Sequence, residues 1–536
     1  MTGSKHWKDV VTTGLLVLVM GVTCQAQSLW DLANQKKDLL RISTLFPAQN
    51  VRDHFSSEEG LAKAVQWCKQ TGVTHVFVET FRDGYTADRA VLERARDKFK
   101  AEGFDVSGCV TPTKVGKSSR GWDGISCYTN EGTQKQMQEI FEYTASLFDE
   151  IMIDDFLFTD CQCDECKNAK GERSWADYRC DLMVRVSREK ILGAAKAVNP
   201  RARVIIKYPQ WYEEFHNRGY EVVRETADYD RIWVGTETRD YNSRRWGGKV
   251  QYEAYYIMRW LGEIGGDKTG GGWFDPYGTT PNTYVEQARQ TVLADAKEMV
   301  LFCYGSLLQD TGPANVEKLR QEIPGLFQLA ALVRGKSIKG IAAPKPPNSD
   351  AYKEQYVFDF VGMLGLPLVP TATVNTDAEA AFFSVHALKD PALPDKLQKM
   401  LAAGKPVLMT DGLAERLPGV GLNRDNLIIL KVGVNPRVLL ELTREQLKPI
   451  RDRLLAPFAM KFDAPNKVAL YLIDDDCLIV ENFNDEPVDV SVEFAKASSA
   501  RKTLVLPADG GVDFSAAQGK LNLAKITPRT LVAIEY

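Results

Sequence analysis

Between about residue 39 and residue 333, short apolar runs alternate with longer stretches whose apolar side chains recur at i, i+3 and i+4. Each short run closes on polar or aromatic residues. The runs predict eight strands, over residues 39–46, 74–80, 105–111, 150–156, 202–208, 231–236, 270–274 and 299–304. The amphipathic stretches predict helices between them, among them 58–70, 88–101, 133–146, 175–198, 283–297 and 314–334. Eight such units in about 300 residues predict a (β/α)8 TIM barrel. A doubly wound sheet would give the same alternation, but no glycine-rich dinucleotide loop follows the first strand.

The pattern changes at Ala342-Ala343-Pro344-Lys345-Pro346-Pro347-Asn348-Ser349, which reads as an exit from the barrel. Beyond it, Leu366-Pro367-Leu368-Val369-Pro370, a helix near 393–403 and Pro406-Val407-Leu408-Met409 predict a small three-layer α/β domain. From about residue 450, β-branched runs at 468–473, 477–481, 488–494 and 530–536, separated by turns, predict a C-terminal β-sandwich. The start of the chain reads as an export signal. Lys5 and Lys8 precede an apolar stretch over 14–22, too short to span a bilayer, and Cys24-Gln25-Ala26 suits cleavage after Ala26. Acylation of Cys24 is the competing reading, weakened by Thr23 before it. The predicted organisation is a signal peptide over 1–26, a barrel over 27–335, an α/β domain over 336–450 and a sandwich over 451–536. It implies a periplasmic or extracellular protein without a stable membrane span.

At 536 residues the chain is too long for one core. A formal net charge of −4 and a pI near 5.9 provide no basic field, which excludes nucleic acid as a partner. Ten tryptophans and nineteen tyrosines suit flat, ring-stacking ligands such as sugars, as well as ordinary core filling.

The run Glu150-Ile151-Met152-Ile153-Asp154-Asp155-Phe156 is an apolar strand ending in two carboxylates. In a barrel, the C-terminal strand tips carry the chemistry. Neighbouring strand residues point to opposite faces, so ideal geometry lets only one of Asp154 and Asp155 face the axis. Asp155 is the first choice for the general acid of a carboxylate pair that cleaves a glycosidic bond. Two tips offer a partner: Asp275 after Gly270-Gly271-Gly272-Trp273-Phe274, preferred as nucleophile, and Glu237 after Trp233-Val234-Gly235-Thr236. The competing structural roles are an ion pair of Glu237 with Arg239, Arg244 or Arg245, and an Asp275 cap on the helix near Pro281. The three glycines are read as allowing close approach of a ligand.

Other tips supply expected substrate contacts: Glu79, Arg82, Lys207, Trp211, Arg239, Tyr304, and Trp273 as a sugar platform. Lys207 as a Schiff-base lysine is the aldolase alternative, but no phosphate-binding signature accompanies it. The five histidines lack metal-site spacing and no G-x-S-x-G motif is present, so neither a histidine-built metal site nor a serine triad is expected. No organic cofactor is implied.

Cys161, Cys163 and Cys166 stand apart from the other cysteines. Three thiols within six residues cannot all pair with one another, and their spacing suits thiolates converging on zinc. The fourth ligand is Cys127, Cys109 or Cys180. Cys127, in the loop after strand three, is favoured because that loop neighbours the one after strand four. A Cys161–Cys180 disulfide is the alternative that export allows.

With these residues in view, the chain resembles glycoside hydrolase family 42, the β-galactosidases, in its barrel, α/β domain and sandwich. Lys345-Pro346-Pro347-Asn348-Ser349 and Ala387-Leu388-Lys389-Asp390-Pro391-Ala392-Leu393 look like that family's second domain. Cys127, Cys161, Cys163 and Cys166 match the structural zinc site of several members. The resemblance implies a galactosidase-like, retaining hydrolase of oligo- or polysaccharides, with a trimer as the implied assembly. The catalytic tips depart from the family, which has Asn-Glu where this chain has Asp154-Asp155 and a glutamate where it has Asp275. An acid on strand four paired with Glu237 would instead resemble the α-galactosidase type of barrel, with Asp154 or Asp155 as nucleophile. A carbohydrate-binding barrel without catalysis is the reading from another class.

Overall fold

The computed structural model describes Met1 and residues 27–243, 248–418 and 424–536; the expected signal peptide, with Cys24, lies outside them. Eight parallel strands run in sequential order: β1 (Arg41–Phe46), β2 (His75–Arg82), β3 (Asp105–Val110), β4 (Glu150–Ile153), β5 (Arg203–Tyr208), β6 (Arg231–Gly235), β7 (Thr269–Phe274) and β8 (Glu298–Leu301). Arg41 pairs with Glu298 and Ser43 with His75, so β1 joins β8 to β2 and the sheet closes. That closure settles the choice between barrel and open sheet.

The predicted helices form at Glu58–Gln70, Arg89–Ala101, Glu131–Ala145, Pro281–Leu293 and Gly312–Val333. The side chains of Ser57, Asp88, Asn130 and Thr280 cap the first four of these. The helix expected over 175–198 contains a π-helical turn at Ser187–Leu192.

Inside the barrel, Leu45, Phe77, Cys109, Met152, Ile205, Trp233, Trp273 and Val300 pack into one apolar cluster. Beneath it, His75 pairs with Glu298 at 2.7 Å and with Ser107 at 2.8 Å. Because strand side chains alternate, two residues further along each strand the next inward layer follows. It holds Glu79, Thr111, Asp154, Lys207, Gly235, Asp275 and Phe302. The barrel therefore changes from hydrocarbon to charge within one layer, at its C-terminal mouth.

Several expectations need correction. Strand β4 stops at Ile153 rather than Phe156 because the Phe156 amide donates to the Asp154 carbonyl at 2.8 Å and turns the chain. Strand β8 stops at Leu301, and Tyr304 begins a short helix, Tyr304–Leu307. Gly270, Gly271 and Gly272 make room for the barrel's own side chains, not for a ligand. A Cβ on Gly270 or Gly271 would lie within 2.4 Å of the Trp233 ring, and one on Gly272 2.3 Å from Thr291.

After the barrel, five parallel strands at Ile341–Pro344, Leu368–Thr371, Ala381–Phe383, Val407–Thr410 and Leu427–Leu430 form the α/β domain's sheet. The remaining chain, joined by the edge strand Ile338–Lys339, folds into antiparallel sheets of five and four strands that enclose a core including Phe462, Leu470, Val480, Val492 and Leu523.

Candidate active site

The barrel mouth opens into a cavity of about 760 Å³, within the range of a small-molecule site. Asp154, Asp155, Glu237 and Asp275 all line it. The adjacency problem at β4 is solved by the turn. Asp154 ends the ladder, its amide donating to the Val110 carbonyl at 3.0 Å, and faces inward. Asp155 lies past the strand, freed from strict alternation, and reaches the same space.

Lys207 organises these acids. Its side chain is 1% exposed, and its Nζ lies 2.7 Å from Glu237 Oε1, 3.2 Å from Asp155 Oδ2 and 3.6 Å from Asp154 Oδ1. It also sits over the Trp273 ring, 4.4 Å from its centroid. Trp273 is thus a buried floor whose face the protein itself covers, rather than a platform for sugar. Glu237 pairs with Lys207, which answers the expectation of an arginine partner; Arg244 and Arg245 lie outside the described residues. Gly235 is needed here, since a Cβ would stand 2.6 Å from Glu237 Oε2 and 2.7 Å from the Gln210 amide.

Asp154 and Asp275 are committed to structure. Asp154 accepts from Arg82 at 2.7 Å, Thr111 at 3.1 Å and the Asp155 amide at 2.8 Å. Glu79, fully buried behind it, accepts from Arg82 at 2.8 and 3.1 Å and from the Ala48 amide at 2.8 Å, and so holds Arg82 rather than substrate. Asp275 takes a bidentate pair from Arg239 at 3.0 and 2.6 Å and also accepts from the Tyr277 amide at 3.1 Å. Its expected alternative role, capping the helix at Pro281, belongs to Thr280. Gln287 ties the two loops together, accepting from the Arg239 amide and donating to the Asp275 carbonyl.

Burial and charge together set the protonation. Among the described residues, Glu79, Asp154, Asp155, Glu237 and Asp275 face Arg82, Lys207 and Arg239, so acids outnumber cations. Burial would raise Asp154, but Lys207 and Arg82 hold it at about 2. Burial, opposed by Lys207 and reinforced by the Asp154 and Glu237 charges, pushes Asp155 up to about 8. Burial likewise raises Glu237, with Lys207 pulling the other way. With its value pushed to about 8, Asp155 carries a proton at neutral pH.

The wall of the cavity is aromatic. Phe158 meets Trp211 edge-on at 5.1 Å and Trp122 at 5.6 Å. Trp211, expected from sequence, is positioned by the α/β domain: Glu213, two residues on, is buried, pairs with His386 at 2.9 Å and accepts from the Tyr356 amide at 2.8 Å. Trp122, Phe156, Phe158, Arg218, Lys249 and Phe302 also line the cavity and were not anticipated. Trp122 had a legible signal, an aromatic in the glycine-flanked loop Gly121-Trp122-Asp123-Gly124 beside the cysteine loop. Tyr304 is not brought to the cavity. Its ring packs against Phe46, His54 and Trp67.

Cys127, Cys161, Cys163 and Cys166 converge, their sulfurs all within 4.8 Å of one another. Three separations are 3.5 Å (Cys127–Cys166), 3.7 Å (Cys127–Cys163) and 3.7 Å (Cys163–Cys166). Thiolates about 2.3 Å from one tetrahedral ion stand about 3.8 Å apart, so the donor set fits zinc. A Cys161–Cys180 disulfide is contradicted: both thiols are free, and that of Cys180 faces the His216 carbonyl at 3.6 Å. Cys109 lies in the barrel's apolar interior instead.

A family model described as "Probable glycosyl hydrolase, catalytic domain" matches residues 27–356, and its C-terminal companion matches residues 459–507. An uncharacterized protein, SSO3021, of Saccharolobus solfataricus is 25% identical over 423 residues, 71% of this chain and 69% of its own. Alpha-L-fucosidase isoenzyme 2 from Paenibacillus thiaminolyticus has a similar fold, with a TM-score of 0.62 at 10% identity over 92% of this chain and 99% of that one.

Proposed function

The chain belongs to the glycosyl hydrolase family whose catalytic-domain model spans residues 27–356, and from that premise we propose a retaining glycosidase with Asp155 as acid/base and Glu237 as nucleophile. The observation that carries this reading is the ammonium of Lys207, which bonds both carboxylates. Contacts of 3.2 and 2.7 Å to one atom keep those two oxygens closer than the ~6.5 Å at which inverting pairs begin. Asp275, both of whose oxygens Arg239 engages, gives up the nucleophile's role expected of it and becomes a positioning group.

The steps follow from protonation. Asp155, neutral at pH 7, donates its proton to the glycosidic oxygen as that bond breaks. The Glu237 carboxylate, held at Oε1 by Lys207 and at Oε2 without a hydrogen-bond partner among the described residues, attacks the anomeric carbon. A covalent glycosyl–enzyme results. The Asp155 carboxylate then takes a proton from water, whose oxygen displaces Glu237. Exchanged roles are the second reading, favoured by the greater exposure of the Asp155 side chain, 17% against 4% for Glu237.

Hydrolysis of aryl glycosides, headed by α- and β-galactosides and α-L-fucosides, tests the activity, and NMR of the first-formed anomer tests retention. An inverted product would sink the Lys207-bridged pair. The pH profile of kcat/KM should be bell-shaped. Activity falls as pH rises through about 8, where Asp155 loses its proton. The acidic limb lies above the ordinary glutamate value near 4.3, because burial raises Glu237.

The galactosidase-like specificity rests on the likeness to family 42, which also supplies the trimer; export rests on the leader's pattern. We further assign the thiol cluster to structural zinc, with Cys127, Cys161, Cys163 and Cys166 as ligands. The ion would clamp the loops after β3 and β4, which carry Trp122, Phe156 and Phe158 to the cavity. Elemental analysis should find one zinc per chain, and Cys163→Ser should lose it along with several kcal/mol of metal-coupled stability. Metal-free protein of unchanged melting temperature would overturn that assignment.

A further inference from the structure

A second cavity of about 800 Å³ lies beside the catalytic one, and the two share Trp122, Glu214 and Arg218 as walls. Its far side is polar: Arg120, Gln162 and Lys167 come from the loops after β3 and β4 and from the helix Asp164–Lys170. Among the described residues, the side chains of Arg120 and Gln162 make no hydrogen bond or ion pair, so their donors stand open to a ligand.

The shared wall is built. Trp122 is 49% exposed, a large apolar surface left in water. Yet its position is fixed from several sides. Its amide donates to Asp160 Oδ2 at 2.8 Å, and the Arg218 guanidinium sits 4.7 Å from its ring centroid. Asp160 reaches that position because residue 121 is glycine: a Cβ there would stand 2.0 Å from Asp160 Oδ2. Trp211 and Phe158 meet the ring from the catalytic side at 6.1 and 5.6 Å. A half-exposed indole held from several sides between two cavities has the placement of a preorganised binding surface.

We propose that this groove is a binding site for the continuation of a glycan chain. One sugar unit occupies the pocket at Asp155 and Glu237, the chain crosses the Trp122 ridge, and further units lie against Arg120, Gln162 and Lys167. The ligand class is a hydroxyl-rich oligosaccharide, whose apolar ring faces suit the indole and whose hydroxyls suit open guanidinium and amide donors. The proposal rests on the hydrolase reading only for what happens in the pocket. It makes the thiol-bearing loop part of substrate recognition, beyond any role in stability.

The test is calorimetric binding of galacto-, fuco-, xylo- and manno-oligosaccharides of one to four units to the full chain carrying Asp155→Asn. In the series that binds, affinity should rise roughly tenfold or more from one unit to three. The added pair Arg120→Ala and Gln162→Ala should remove most of that gain. Trp122→Ala, touching both cavities, should weaken binding at every length. Circular dichroism checks that each variant is folded. No rise with length in any series, or the same rise in the Arg120→Ala/Gln162→Ala protein, overturns the groove. Length-dependent binding without turnover by the wild type would instead sink the Asp155–Glu237 chemistry and leave the groove standing.

Discussion

Glu237→Gln is expected to lower kcat on the order of 10⁴-fold or more for every glycoside, because no covalent intermediate forms without its carboxylate. Asp155→Asn should behave differently. It should cost about 10²–10⁴-fold on glycosides with poor leaving groups, the usual worth of a general acid. Aryl glycosides with acidic phenols, which leave without protonation, should be spared much of that loss. Azide should restore turnover to both variants, with product of retained configuration from Asp155→Asn and of inverted configuration from Glu237→Gln. The opposite pattern would exchange the roles of the two residues. Undiminished activity in Glu237→Gln, with Asp275→Asn inactive, would return the nucleophile to Asp275 despite its arginine clamp.

Lys207→Met carries the largest expected effect on stability. Removing the ammonium that Asp154, Asp155 and Glu237 share leaves Asp154 to Arg82 and, among the described residues, strips Asp155 and Glu237 of their ion-pair partner, a loss of about 3–5 kcal/mol for breaking a buried ion pair. The deficit depends on pH with a definite sign. Asp155 already has a folded pKa of about 8, above the unfolded value near 3.9. Its contribution therefore favours folding most fully below the unfolded value and is lost as pH rises through the folded one. Without Lys207 the folded values of Asp155 and Glu237 rise further. Urea denaturation should show the variant's deficit largest at alkaline pH and shrinking as the carboxyls take up protons. Equal stability of variant and wild type at both ends of that range would mean that Lys207 is not their common partner.

How much of this could be read in advance depends on the range of the signal. Eight strand positions were legible because alternation and apolar runs are local, and their ends missed by three residues at β4 and β8, where the chain turns. At β4 the Phe156 amide bonds back to Asp154, a contact that no strand pattern contains. At β8 the chain folds Tyr304 onto Phe46 and Trp67, and a residue that resembled a substrate contact became core. The thiol cluster was legible for a different reason: three of its cysteines lie within six residues, and the fourth required only that neighbouring loops meet.

The choice among acids was not legible. Sequence alone brought Asp154, Asp155, Glu237 and Asp275 to strand tips, and alternation supplied the layer that faces the axis. Which cation faces each one is set by other strands. Arg82 on β2 claims Asp154, Arg239 after β6 claims Asp275, and Lys207 on β5 joins Asp155 to Glu237. The chain by itself determined the barrel and the acidic ring at its mouth, since both follow from periodicities of two and of nearly four residues. Only the closed barrel, by setting side chains from distant strands 2.6 to 3.6 Å from one another at its mouth, decided which cation each carboxyl meets.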